Sequence, residues 1–148
     1  EARFSISGLI DSYDRLQLLK TRLRALPEFT DKRVVESNRK KTAFLQAAKA
    51  KCAPSAVIHP DRIENVTARI RDPEIITARA LAPLPKLLDL TAPWLQQGAR
   101  ALFHKGRGYA SEIEDSHAKW TFDLVRHESR IDAESVILDI TNLRRRPA

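Results

Sequence analysis

Short apolar runs alternate with segments of helical period along most of the chain. Lys32 to Glu36 is a β-branched run that predicts a strand. Ser37 or Asn38 then serves as the N-cap of a helix running to about Lys51, with Ala43, Phe44, Ala47 and Ala48 on its buried side. Ser55 to His59 predicts a second strand, closed by Pro60 and Asp61, and Arg62 to Ala68 a loop or short helix. Ile75 to Thr77 predicts a third strand. After it Leu84, Leu87, Leu88 and Leu95 recur on one helical face until Gly98 ends the segment. Arg100 to His104 predicts a fourth strand, and YASEIEDSHAKW a polar helix. Trp120, Phe122 and Leu124 alternate with polar residues, and Ser135 to Ile140 is β-rich, so the chain closes with two strands paired antiparallel. Arg144, Arg145 and Arg146 form a solvated tail. Near the start, Leu16, Leu19, Leu23 and Leu26 predict an amphipathic helix from Asp11 to Leu26, stopped by Pro27.

Strands alternating with helices and ending in a strand pair describe an α/β fold, a doubly wound Rossmann-like sheet with an antiparallel closing pair. In such sheets ligands sit outside the carboxyl ends of the strands. That rule puts Glu36, His59, Thr77 to Arg79, and Lys105 with Gly106 along one rim. At 148 residues the expectation is a single domain, with an N-terminal helical part over residues 1–26.

Composition narrows the class. Hydrophobic residues make up 43% and charged residues 30%, which suits a globular chain and not a disordered one. The longest apolar runs are too short for a bilayer, and EARFSISG lacks the pattern of a signal peptide, so a cytoplasmic protein is expected. Cys52 is the one cysteine, and no histidine is spaced with it as in a zinc site; no metal is expected. The excess of 26 Lys and Arg over 19 Asp and Glu gives a formal charge of +7, which favours polyanionic partners but also fits an ordinary basic domain. Methionine is absent and there are 4 glycines, where average usage gives about ten in such a length. With Glu1 as the first residue, these omissions lead us to expect that glycine-rich segments, and methionines, are missing from the sequence with their flanks joined.

The candidate chemistry lies on the rim. A carboxylate at the end of the second strand can accept both hydroxyls of a ribose, which suits Glu36; as a surface residue it would instead cap the following helix. Arg62 and Glu64, just past the next strand, could flank an adenine ring or form a surface ion pair. Arg79 stands between an apolar strand and an apolar helix, where burial is costly unless an anion pairs with it. Lys105 can reach a phosphate from a strand end, or be one exposed lysine. Arg39, Lys40 and Lys41 open a helix and point in different directions, so a solvated face competes with a nucleic-acid contact.

Four segments, VVESNRKKTAFL, HPDRIENV, IITARALAPLPKLLDLTAPWL and ALFHKGRGYASEIED, together resemble the bacterial glucose-inhibited division protein B family, methyltransferases that modify guanine N7 in 16S ribosomal RNA. They cover roughly residues 34 to 114 in the family's order. The resemblance implies a class I methyltransferase fold using S-adenosyl-L-methionine, with Glu36 at the ribose, Ile63 and Glu64 at the adenosine edge, and Arg79 in the cofactor site. Arg39, Lys40, Lys105 and Arg107 would face the RNA. The implied partner is 16S ribosomal RNA or a small ribosomal subunit precursor, met by a monomer without metal or membrane. Guanine N7 carries a lone pair and no proton, so no obligatory catalytic acid or base is expected. One departure is plain: the family's glycine-rich loop after the first strand has no match in residues 1–33. A non-catalytic RNA-binding module on the same scaffold is therefore the alternative. A nicotinamide oxidoreductase also uses a strand-end carboxylate, but the later segments match no dehydrogenase pattern.

Overall fold

The computed structural model describes residues 2–7, 29–130 and 132–147. Within them β1 is Ala2–Ser7, β2 Phe29–Val35, α1 Arg39–Cys52, β3 Val57–His59, α2 Ile63–Val66 and β4 Ile75–Arg79. The chain continues through α3 Leu84–Leu95, β5 Arg100–Lys105, α4 Tyr109–His117, β6 Trp120–Glu128 and β7 Val136–Arg145. The strands form one sheet of order β3-β2-β1-β4-β5-β7-β6. The pairs from β3 across to β5 are parallel, whereas β7 runs antiparallel to both β5 and β6. The chain winds from β1 outward to β3, then returns to β4 and winds the other way. The switch point is thus the β1–β4 boundary, where the carboxyl ends of the strands open a crevice.

The main core lies between the sheet and α3. Leu84, Leu87, Leu88 and Leu95 are all buried, as their spacing predicts, against Ile76, Ala78, Ala101 and Phe103 of β4 and β5 and Leu138 and Ile140 of β7. Trp94 adds a polar tie, its indole N–H donating to the Ile70 carbonyl at 2.8 Å. α3 is followed by a turn through Gly98, whose φ of 102° lets the Ala99 N–H turn back to the Trp94 carbonyl at 3.1 Å.

Three expectations need correction. On α1 the inward positions are Thr42, Leu45 and Ala48, while Ala43 and Ala47 are exposed and Phe44 is 43% exposed. The helix starts at Arg39, which sets this phase. Thr42 tolerates the inner face because its hydroxyl lies 2.9 Å from the Asn38 carbonyl and 3.1 Å from that of Glu36. The arginine tail is solvated as expected, with Arg144, Arg145 and Arg146 exposed, but its backbone is not loose up to its end. Arg144 and Arg145 belong to β7 opposite Thr121 and Trp120, and the Arg146 N–H donates to the Lys119 carbonyl at 2.9 Å. At the start, Ala2–Ser7 is a strand inside the stretch expected to be helical; the helix predicted over Asp11 to Leu26 lies outside the described residues.

Candidate functional site

Glu36 follows directly on β2, and its N–H donates to the His59 carbonyl at 3.1 Å, continuing the β2–β3 ladder to the rim. Its carboxylate Oε1 accepts the Asn38 N–H at 2.8 Å. Asn38, not Ser37, is the N-cap of α1, its side-chain oxygen accepting from the N–H groups of Lys40 and Lys41 at 3.0 and 3.2 Å. Glu36 therefore does hold the turn before the helix, yet a carboxylate has about four acceptor positions and this one remains half-exposed at the strand end. Both readings of Glu36 fit one geometry.

Beside it, His59 closes β3. Its Nε2 is buried without a hydrogen-bond partner. Burial, with the charges of Arg33 and Arg69, holds the imidazole below its ordinary pKa, so it stays neutral at pH 7. The turn after His59 is fixed by Asp61, whose carboxylate accepts from the Arg62 N–H at 2.8 Å, the Asn65 amide at 2.7 Å and the Arg69 guanidinium at 2.5 Å. Donation by Asn65, then by Arg62 and Arg69, keeps Asp61 below the usual carboxylate range. The acid facing an arginine here is Asp61, and its partner is Arg69. This turn starts α2 and presents Ile63, packed against the core, beside exposed Glu64.

β4 ends in Arg79, which is exposed. The expectation of a costly buried cation is thereby corrected: strand alternation sends Ile76 and Ala78 into the core and Arg79 to the opposite face. Arg79 pairs in register with His104 on β5. Burial, followed by the Arg79 charge, lowers the His104 pKa. Ala80, next in the chain, has φ of 52°, a left-handed conformation that a residue with a Cβ adopts at a cost of about 1 kcal/mol. Leu81 is 48% exposed beyond it. Such strain clusters at functional sites.

Lys105 does not project outward. Its ammonium donates to the Ala82 carbonyl at 3.0 Å and pairs with Glu112 at 2.6 Å, and its side chain is only 10% exposed. Arg107 is exposed and paired with Glu134 of the β6–β7 turn. Arg39 and Lys40 are exposed in the first turn of α1, which contains no acid. Cations there oppose the helix dipole by about 0.3–1 kcal/mol each, so local helix stability does not explain them. Glu36, Ile63, Glu64 and Arg79 all leave the sheet at its carboxyl end, with β1 between the strands carrying Glu36 and Arg79. Among the described residues, no group of three or more His, Cys, Asp or Glu is arranged to hold a metal ion, and no helix is long and apolar enough to cross a membrane.

The sequence and the fold match known proteins. The family model GidB, rRNA small subunit methyltransferase G, matches residues 25–137. The ribosomal RNA small subunit methyltransferase G of Chelativorans sp. (strain BNC1) is 54% identical over 112 residues, covering 76% of this chain and 53% of that protein. The protein of the same name from Brucella ovis is 51% identical over 113 residues, with the same coverage of 76% and 53%. The chain thus spans about half the length of the curated relatives it matches. In fold it is similar to the fibrillarin/Nop5p complex structure, at a TM-score of 0.70 and 9% identity over 95% of this chain and 72% of that one. It is also similar to the O-methyltransferase from Bacillus cereus in complex with SAH, at a TM-score of 0.61 and 9% identity over 95% and 74%.

Proposed function

We propose, from the premise that the chain belongs to the GidB family of rRNA small subunit methyltransferase G proteins, that it methylates N7 of a guanine in 16S ribosomal RNA with S-adenosyl-L-methionine as cofactor. The observation that carries the reading is the half-exposed Glu36 carboxylate at the end of β2 in a sheet of this order, beside a first helical turn of exposed cations. The described residues fit the cofactor at its nucleoside end: Glu36 would hold the ribose, Ile63 and Glu64 the adenosine edge, and Arg79 the switch-point side. Bound there, the cofactor supplies an electrophilic methyl group on a sulfonium. The work of the chain is then positioning, because alignment of the reacting atoms can supply several kcal/mol, on the order of 7–11 in the best intramolecular cases. No side chain has to remove a proton, since guanine N7 has none. Arg39, Lys40 and Arg107 would meet RNA phosphates; the inward turn of Lys105 takes it out of that set. We read residues 1–148 as one methyltransferase domain acting as a cytoplasmic monomer on the RNA or a small-subunit precursor.

A second reading, an RNA-binding module without catalysis, is favoured by one observation: Gly8 is the only glycine before β2, where the resemblance calls for a glycine-rich loop. One experiment separates the two. The purified chain is incubated with methyl-labelled S-adenosyl-L-methionine and small-subunit RNA, and the digested RNA is analysed for 7-methylguanosine. Transfer that falls in Arg79→Ala supports the enzyme. Salt-sensitive RNA binding without cofactor binding or transfer supports the module.

A further inference from the structure

The turn from β4 to α3 carries Arg79, the strained Ala80 and the exposed Leu81 across the switch point, and its local sequence does little to hold it. Pro83 is the N-cap of α3 and has no side-chain group to accept a hydrogen bond, so the first N–H groups of the helix lack a local partner. The partner comes from another element. Glu112, in the first turn of α4, accepts the Leu84 N–H on Oε2 at 2.6 Å. The same oxygen pairs with Lys105 at 2.6 Å, and Lys105 also donates to the Ala82 carbonyl at 3.0 Å. One ion pair, with side chains 10% and 25% exposed, therefore grips the turn on both sides of Pro83. Its carboxylate also sits at the positive end of the α3 dipole, where a negative charge is favoured.

We infer that Lys105 and Glu112 are positioning residues that fix the Arg79–Pro83 turn for methyl transfer. Neither touches the reacting atoms. An unpaired backbone carbonyl and N–H at a rim would otherwise turn to water, and Ala80 would relax from its left-handed conformation toward the commoner regions. The pair resists this because separating its members would leave a half-buried charge uncompensated. The assignment rests on the proposed methyltransferase reading for its consequence, but not for the geometry itself.

The test uses the full chain with Lys105→Met, Glu112→Gln and Lys105→Arg. Hydrogen exchange of the Leu84 amide, but not of the β5 and β7 amides, should accelerate in Lys105→Met and Glu112→Gln. Lys105→Arg, which keeps a donor for both partners, should restore protection. With active protein, kcat should fall on the order of a hundredfold in Lys105→Met while KM for RNA is unchanged. The salt dependence of RNA binding should also stay as in the wild type, whereas loss of a phosphate contact would lower its slope by about one. Unchanged exchange at Leu84 overturns the inference, as does a reduced salt slope with unchanged kcat. If the wild-type chain transfers no methyl group, the catalytic reading fails, and the exchange measurement alone decides whether the pair holds the turn.

Discussion

Asp139 on β7 is 5% exposed, yet it carries a carboxylate between two basic groups. Arg100 grips it in a two-point contact, Nε donating to Oδ1 at 2.7 Å and a terminal nitrogen to Oδ2, while His127 Nε2 lies 3.2 Å from Oδ2. Asp139→Asn keeps the shape, removes the charge and turns an amide N–H₂ toward donors. A hydrogen bond to a charged group contributes about 1.5–3 kcal/mol. The Arg100 side chain is 53% exposed, so solvent screening trims the sum of its two bonds, and about 2 kcal/mol is expected for the substitution. For a domain of this size that is a fall in Tm of about 4–8 °C. The pH dependence gives a sharper test. Donation by Arg100 outweighs burial and holds the Asp139 carboxyl below its ordinary value of 3.8, with His127 adding to the effect. A carboxyl depressed in the folded state contributes stability in full above its unfolded pKa and loses it as pH falls through the folded value. Wild type and Asp139→Asn should therefore differ most near neutral pH and converge below about pH 4. Urea unfolding at several pH values measures this directly; a gap that stays constant down to pH 3, or no gap at pH 7, would refute the reasoning.

Other substitutions probe the rim. Glu36→Ala should raise the Kd for S-adenosylhomocysteine about tenfold to a hundredfold, the equivalent of 1.5–3 kcal/mol of lost charged hydrogen bonding. Calorimetry checks it, and wild-type affinity in the variant would remove Glu36 from the site. Ala80→Gly should stabilise the fold by up to about 1 kcal/mol, because glycine adopts a φ of 52° without the Cβ penalty. A Tm that drops instead would show that residue 80 does not hold that conformation.

The helices and strands of the second half were legible because their signals were local. The four leucines of α3 keep one face over three turns, and Gly98 turns the chain just past the helix, where a left-handed residue is needed. On α1 the pattern was weaker: alanines occur on several faces, and the inward place of Thr42 depends on a hydroxyl bond to the end of β2 that no periodicity records. Arg79 looked buried because its neighbours are apolar, but alternation at a strand end exposes it. Lys105 looked like a free strand-end cation; its partners, Ala82 and Glu112, come from separate segments that only the folded sheet brings together. The carboxyl-end rim was therefore readable as a location, while the wiring among its charged groups required tertiary structure.

The place of β7 between β5 and β6 also constrains how the molecule assembles. Among the described residues β6 pairs with no strand but β7, so the hairpin's first arm emerges from synthesis before it has anything to join. Docking must wait until the segment through Arg145 is available, and β7 then knits two strands into the sheet at once. A truncation before Val136 would thus strand β6 as an orphan ribbon and leave the flank of β5 open to foreign pairing.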